Sequence, residues 1–452
     1  MNNNSEAIYN AKELGTGRVI ILGLQHMFAM FGSTVLVPLL TGLSVSTTLL
    51  FAGVGTLLFH FLTKGKVPAF LGSSFAFLGG YAAIAPLLED GSSNVEMLPY
   101  ACFGVACAGL VYLVMAGLIK LFAAKKVMRF FPPIVTGPII IAIGLTLSQS
   151  AIDSCSTNWP IALVAIVVVI LCNVFGKGMI KIVPILIGVV ASYVVGMCMG
   201  EVDFTVVENA QWIGLPIVKE YTVLGLFDEN FDPVMLVTAI ITIMPIALAT
   251  IVEHIGDISA ISSTTGKNYI KDPGLHRTLL GDGFATMIAS LFGAPANTTY
   301  GENTGVLNLS KVYDPFVVRL AAVFAIIFSF CPKFAAIVQA MPTATVGGIS
   351  LILYGMISAV GVRNVVENQV DFTKTRNVII AALILVLSIG IHYSAAGCIA
   401  FQIGSITISL SGLATGALVG IILNAILPEK DYEFDEDEPE DTGVNFEVGQ
   451  NH

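Results

Sequence analysis

Apolar runs approaching the length of a membrane crossing recur from Val19 to Leu427. Two of the clearest are IALVAIVVVILCNVF, residues 161–175, and VIIAALILVLSIGI, residues 378–391. A hydrocarbon core of about 30 Å takes roughly 20 helical residues to cross. A soluble chain with a large core would alternate such runs with charged helix faces. Here only 12% of the residues are charged, and the mean hydropathy is +0.85. The chain therefore reads as an all-α polytopic membrane protein.

About 14 spans fit, centred near residues 30, 55, 77, 110, 140, 168, 190, 245, 284, 303, 322, 352, 384 and 419. The third and tenth are short and rich in Gly, Ser and Thr. The basic residues test that number. Clusters at 64–66, 125–129, 176–181, Lys267 to Arg277, Lys311 and Arg363 to Arg376 all fall on one side. The other side carries acidic loops such as LEDGSSNVE (88–96) and only Lys219 and Lys333. The positive-inside rule then places both termini in the cytoplasm. The opening stretch, MNNNSEAIYNAKELGTGR, mixes charges and lacks an apolar h-region, so no cleavable signal peptide is expected. The seven Cys are scattered, mostly in apolar spans, and no pair has metal-ligand spacing. Ten acidic residues and one Lys between Glu429 and Glu447 account for −9 of the net charge of −10, so that tail is expected to be solvated.

The two halves look related. Gln25-His26 in LQHMFAM matches Glu253-His254 in VEHIGDI, GSSFAF (72–77) matches TTYGEN (298–303), and PPIVTGPI (132–139) matches PTATVGGI (342–349). The first two landmarks lie 49 residues apart in one half (His26 to Phe75) and 46 in the other (His254 to Tyr300). Three correspondences in the same order point to a duplicated seven-span unit, and an odd number of spans inverts the second copy. Inverted repeats with paired interrupted spans mark secondary transporters, whose substrate sits between the breaks.

The chemistry centres on TTYGENTG, residues 298–305. A carboxylate at membrane depth costs roughly 2.5–3.5 kcal/mol on the insertion scale, so Glu302 is expected to face a cavity. Gly301 and Gly305 let the backbone leave the helix, which is tolerated at that depth only where it is buried in protein or lines a cavity. Glu253 is a second intramembrane acid, and Asp257, four residues on, shares its helix face. Membrane-embedded acids are candidate proton carriers. His254 and His26 read as structural hydrogen-bonders. Two acids without an opposed intramembrane cation disfavour an anion as ligand. A neutral solute with adjacent N–H donors and C=O acceptors fits better, because a protonated carboxyl offers both a donor and an acceptor. Phe75 and Tyr300, in the two short segments, can pack on a flat ring.

At NTTYGENTGVLNLSK the chain resembles the nucleobase–ascorbate transporter family. That family's signature is an acid or Gln, then Asn-x-Gly, four residues, then Thr and a basic or small residue. Here it reads Glu302-Asn303-Thr304-Gly305, Val306 to Leu309, then Ser310-Lys311, with Ser in place of Thr. The resemblance extends through residues 24–38, 64–77, 252–257 and 271–283, and TTYGEN is similar to the uracil permease branch. It implies two inverted seven-span repeats, with spans 3 and 10 each made of a short strand plus a half-helix. A core domain would comprise spans 1–4 (19–124) and 8–11 (233–331), and a gate domain spans 5–7 (131–200) and 12–14 (334–428). Residues 1–18 and the acidic tail 429–452 would be cytoplasmic. It further implies a homodimer in the inner membrane that imports uracil with a proton as coupling ion and no other cofactor. Glu253 and Glu302 would hydrogen-bond the pyrimidine. Phe75 and Gly301 would add backbone contacts, and Tyr300 and Tyr354 would line the pocket. Ser33 stands where a relative has Ala, Ser74 would support the network, and Asp257 stands where a relative has His.

Other classes find little support. The sequence has no GxxxxGK[ST] loop for ATP, no HExxH or CxxC, no nucleophile–base pair, and no basic patch for nucleic acid. A transporter of xanthine or urate on the same fold is one alternative. An anion transporter of similar architecture is another, although it should carry a cation near the third or tenth span, where only Lys311 lies, at a span end.

Overall fold

The computed structural model describes residues 7–88, 91–177, 180, 183–227, 231–403 and 406–428. For Phe31, Phe227, Glu302, Leu309, Phe401, Ile403 and residues 406–409 it describes the backbone alone. The acidic tail from residue 429 lies outside the described residues.

The first apolar run folds as α1 (Thr16–Ala29) and α2 (Phe31–Thr41), joined at Met30 and closed by Gly42 at φ +77°. Left-handed backbone at a helix end is cheap for glycine. Ser44 caps α3 (Val45–Leu62) by accepting from the Thr47 N–H. The chain then extends through β1 (Leu71–Ser73), turns through Phe75–Phe77, and forms the short α4 (Leu78–Ile84) before the long α5 (Leu98–Phe122). There follow α6 (Pro133–Thr146), α7 (Ser148–Ser156), α8 (Trp159–Phe175) and α9 (Pro184–Met199).

The second half begins with α10 (Pro233–Ile243), whose Asp232 caps the Val234 and Met235 N–H groups. A tight turn of helix at Met244–Ile246 leads into α11 (Ala247–Thr265). Next come α12 (Leu275–Leu291), β2 (Asn297–Thr299), α13 (Glu302–Ser310) and α14 (Pro315–Ser329). The chain bends by 85° into α15 (Pro332–Gln339), then forms α16 (Thr343–Glu367) and α17 (Thr375–His392). A hairpin of β3 (Cys398–Ile403) and β4 (Ile406–Ser411) precedes α18 (Gly412–Ile426). Seven of the described helical stretches are long and apolar enough to cross a membrane, and four shorter apolar helices accompany them. The hairpin is an element that the sequence reading took for span or loop. ITISLS, 406–411, alternates apolar and polar residues, which is the period of a strand.

The helices pack in two groups. In the first, α3 lies on α14 and α12, α12 on α5, α1 on α14, and α10 on α5. In the second, α6 lies on α16 and α17, α8 on α9 and α16, and α17 on α18. With no hydrophobic drive between helices in lipid, close backbone approach at small residues holds such contacts. A Cβ on Gly109 of α5 would stand 2.8 Å from the Gly283 carbonyl oxygen of α12. In the second group, a Cβ on Gly361 would stand 2.7 Å from the Gly137 carbonyl oxygen. The groups meet where α11 touches α6 and α18, where α2 touches α9 and α16, and where β4 lies on α10. All seven cysteines are unpaired.

Candidate functional site

The two interrupted segments meet in the middle of the first group. β1 and β2 pair antiparallel, with Leu71 opposite Thr299, Gly72 opposite Thr298 and Ser73 opposite Asn297. The ladder runs on through Ser74 N–H to Ala296 O at 3.0 Å and Tyr300 N–H to Phe70 O at 2.9 Å. Every strand residue is buried. Backbone at membrane depth must find its partners within the protein, and this ladder supplies them.

Each strand leans on the helix that precedes it. Thr56 Oγ1 of α3 accepts from the Leu71 N–H at 2.9 Å, and His60 Nε2 meets the Ala69 carbonyl at 2.9 Å. On the other side Asp282 of α12 accepts from the Thr299 N–H (2.9 Å) and from the Thr299 hydroxyl (2.8 Å). His254 of α11 closes that network: its Nδ1 lies 2.8 Å from Asp282 Oδ2 and 2.9 Å from Thr299 Oγ1, and its Nε2 lies 2.9 Å from Thr278 Oγ1. The side chains of His254 and Asp282 are fully buried. His254 thus fixes the strand, as expected of a structural hydrogen-bonder. Asp282 was missed. Its signal was in plain view, an acid inside the apolar run LLGDGFATMIASLFG, the same feature that singles out Glu302.

Around the strands stand most of the residues named from sequence. The rings of Phe75 and Tyr354 meet edge to face, with centroids 5.6 Å apart and planes at 84°. Ser33 of α2 and Tyr300 converge on Gly72: a Cβ there would lie 3.4 Å from Ser33 Oγ and 3.5 Å from Tyr300 Cδ2. Gly301 is buried and immediately precedes α13. On α11, Glu253 is half-buried and Asp257 is buried. His26 Nδ1 of α1 lies 3.2 Å from Asn303 Oδ1 of α13. The hydroxyls of Ser33, Ser74 and Thr304 and the Asn303 amide nitrogen are buried and have no hydrogen-bond partner among the described residues. A cavity of about 350 Å³ reaches Phe75 between α4, the α6–α7 junction and the base of the hairpin.

Glu302 opens α13, so its backbone sits where the helix starts beside β2. Its side chain lies outside the described residues. Gly305 lies within α13 and leaves the helix unbroken. The break falls at Tyr300–Gly301, because strand pairing governs the backbone there.

A family model, the permease family, matches residues 17–397. This chain belongs to the permease family. The uracil permease of Bacillus caldolyticus is 41% identical over 422 residues, covering 91% of this chain and 92% of that protein. The uracil permeases of Bacillus subtilis (strain 168) and Escherichia coli (strain K12) are each 37% identical over 423 residues. They cover 91% and 90% of this chain, and 92% and 91% of their own lengths. Among solved structures, SLC26A9 superposes with a TM-score of 0.65 at 13% identity, over 92% of this chain and 66% of that one. The transmembrane domain of the cyanobacterial bicarbonate transporter BicA does so with 0.58 at 14%, over 84% and 96%. At such identities the likeness is one of fold. By that family and those relatives, the chain is a multi-pass membrane transporter rather than an enzyme. The family resemblance read from residues 298–311 holds over nearly the whole chain.

Proposed function

We propose that this permease imports uracil together with a proton across the cytoplasmic membrane, with both termini inside. The observation that carries the proposal is the meeting of two interrupted segments, one from each half, at a strand pair flanked by buried polar groups still lacking partners. A buried polar atom without a partner costs about 1–3 kcal/mol. A flat solute with alternating donors and acceptors, seated beside Phe75 and Tyr300, offsets that cost. The relatives named uracil permease supply the identity of the solute.

Glu253 and Glu302 bind the ring edge, and Glu253, Asp257 and Glu302 exchange the coupling proton. Gly301 and Phe75 contribute backbone contacts, Tyr354 closes the ring side, and Ser33 and Ser74 complete the polar rim. Neutralised acids let the loaded unit travel, and the solute and proton leave together on the cytoplasmic side. The travelling unit is the first packing group, taken as the core domain, moving like an elevator against the second, the gate. The packing supports 14 spans in two inverted repeats. The contact of α3 with α14 has its counterpart in α12 with α5, that of α1 with α14 in α10 with α5, and that of α8 with α9 in α17 with α18. The working unit is a homodimer.

The test is Glu302→Gln, with uptake of labelled uracil and binding both measured across pH. Loss of proton-driven uptake is expected. Full pH-dependent uptake by that variant removes the acid from the mechanism. Competition by xanthine, urate and other bases separates uracil from its relatives. The fold is shared with anion transporters, but neither interrupted segment, 71–84 or 297–310, contains Lys or Arg, and Lys311 sits beyond the far end of α13.

A further inference from the structure

A groove of about 480 Å³ lies where α5 ends, and none of its lining residues belongs to the strand pair or the proposed substrate site. Leu118, Phe122, Phe131 and Ile421 give it apolar walls, and Lys126 and Arg129 stand at its edge. Both cations are exposed, and neither pairs with a carboxylate among the described residues. Arg129 lies over the Phe130 ring, 5.3 Å from its centroid. The groove joins the two packing groups, because Leu118 and Phe122 belong to α5 and Ile421 to α18.

We propose that this groove is the docking site of the chain's own acidic tail, through residues 431–435. Three observations converge on that occupant. The first is position. The Asn424 side-chain amide donates to the Arg129 carbonyl at 3.0 Å, so the last turn of α18 is tied to a residue of the groove, and Pro428 follows four residues later. Four more residues reach Tyr432, and an extended chain covers about 3.3–3.6 Å per residue, enough to enter the groove. The second is charge: residues 429–447 carry −9, and the groove's edge carries only cations. The third is pattern. In DYEFD, residues 431–435, aromatic and acidic residues alternate. In an extended chain Tyr432 and Phe434 fall on one face and Asp431, Glu433 and Asp435 on the other. That is the chemistry of the groove, apolar inside and cationic at its edge. Tethering supplies an effective concentration on the order of millimolar, so weak individual contacts suffice for occupancy. A docked tail bridges α5 and α18. The inference stands whatever solute the permease carries.

The test compares hydrogen exchange at residues 124–131 in the full chain and in a chain ending at Pro428. Exchange about ten-fold faster in the shortened chain is expected. A synthetic peptide of residues 429–447 should restore protection. Salt at about 1 M, where the Debye length falls to about 3 Å, should remove it. Arg129→Gln and the double variant Tyr432→Ala/Phe434→Ala, each in the full chain, should behave like the shortened protein. Equal protection with and without the tail overturns the proposal. So does protection of the shortened chain by phosphatidylglycerol vesicles but not by the peptide, which would assign the groove to a lipid.

Discussion

β1 and β2 are the same backbone device held by different chemistry. Both are three residues long and fully buried, and both are capped by the helix before them. β1 receives a neutral hydroxyl, Thr56. β2 receives a carboxyl group, Asp282 of α12, which bonds His254 of α11, whose other ring nitrogen meets Thr278. The same asymmetry extends to the site. The first half presents Gln25 where the second presents Glu253, and Asp257 and Glu302 also belong to the second half. Shared packing sets where the backbone goes, while the acids beside the strand pair, Glu253, Asp257, Asp282 and Glu302, all come from the second half.

Breaking each cap tests that contrast most sharply. Asp282→Asn leaves His254 and the Thr299 groups imperfectly paired, and a buried polar group left without its partner costs about 1–3 kcal/mol, more where the lost partner is charged. A large fall in thermal unfolding temperature in detergent is expected, and stability equal to the parent's would show that β2 does not depend on the acid. A middle-sized effect comes from the crossing of α12 on α5. A Cβ on Gly283 meets Tyr112 Cβ at 2.8 Å and the Gly109 carbonyl oxygen at 3.0 Å, so Gly283→Ala should cost about 1–3 kcal/mol. Gly305→Ala, whose added methyl meets nothing within 4 Å, is its control. Thr56→Val removes the neutral cap of β1 and should cost about 1 kcal/mol in the same assay. A cost matching that of Asp282→Asn would erase the difference between the strands.

The smallest effect lies outside the spans. Lys66 bonds Asp272 and holds its carboxyl below the usual carboxylate range. A depressed folded-state value stabilises above the ordinary value of about 3.9 and is lost as pH falls through the lower one. Both side chains are largely exposed, so Asp272→Asn should cost a few tenths of a kcal/mol, roughly, at neutral pH. Denaturant midpoints at pH 7 and pH 3 should differ less in the variant than in the parent.

Much of this was legible in the sequence, and the failures have physical reasons. Apolar runs located the long helices and Gly-rich interruptions the two broken segments, because bilayer length and backbone satisfaction leave few options, while the short strands within them followed from the family resemblance. Glu302 and Glu253 stood out because acids in apolar runs are rare. Asp282 carries the same signal, but its partners His254 and Thr299 lie 28 and 17 residues away and come together only in the fold. The hairpin at 398–411 was passed over because its alternation sits in a region already read as apolar span. Gly305 was given a role that belongs to Gly301, since spacing alone does not say where a ladder ends.

The strand pair also dictates an order of events during synthesis. Gly72 faces Thr298, so β1 gains its hydrogen-bonded neighbour only after 226 further residues have been made. At about 5–20 residues per second, that is a wait of roughly ten to forty-five seconds. Throughout it, the β1 peptide groups that pair with β2 lack their native partner. Completion of the newborn chain's interior is therefore deferred until its second half arrives.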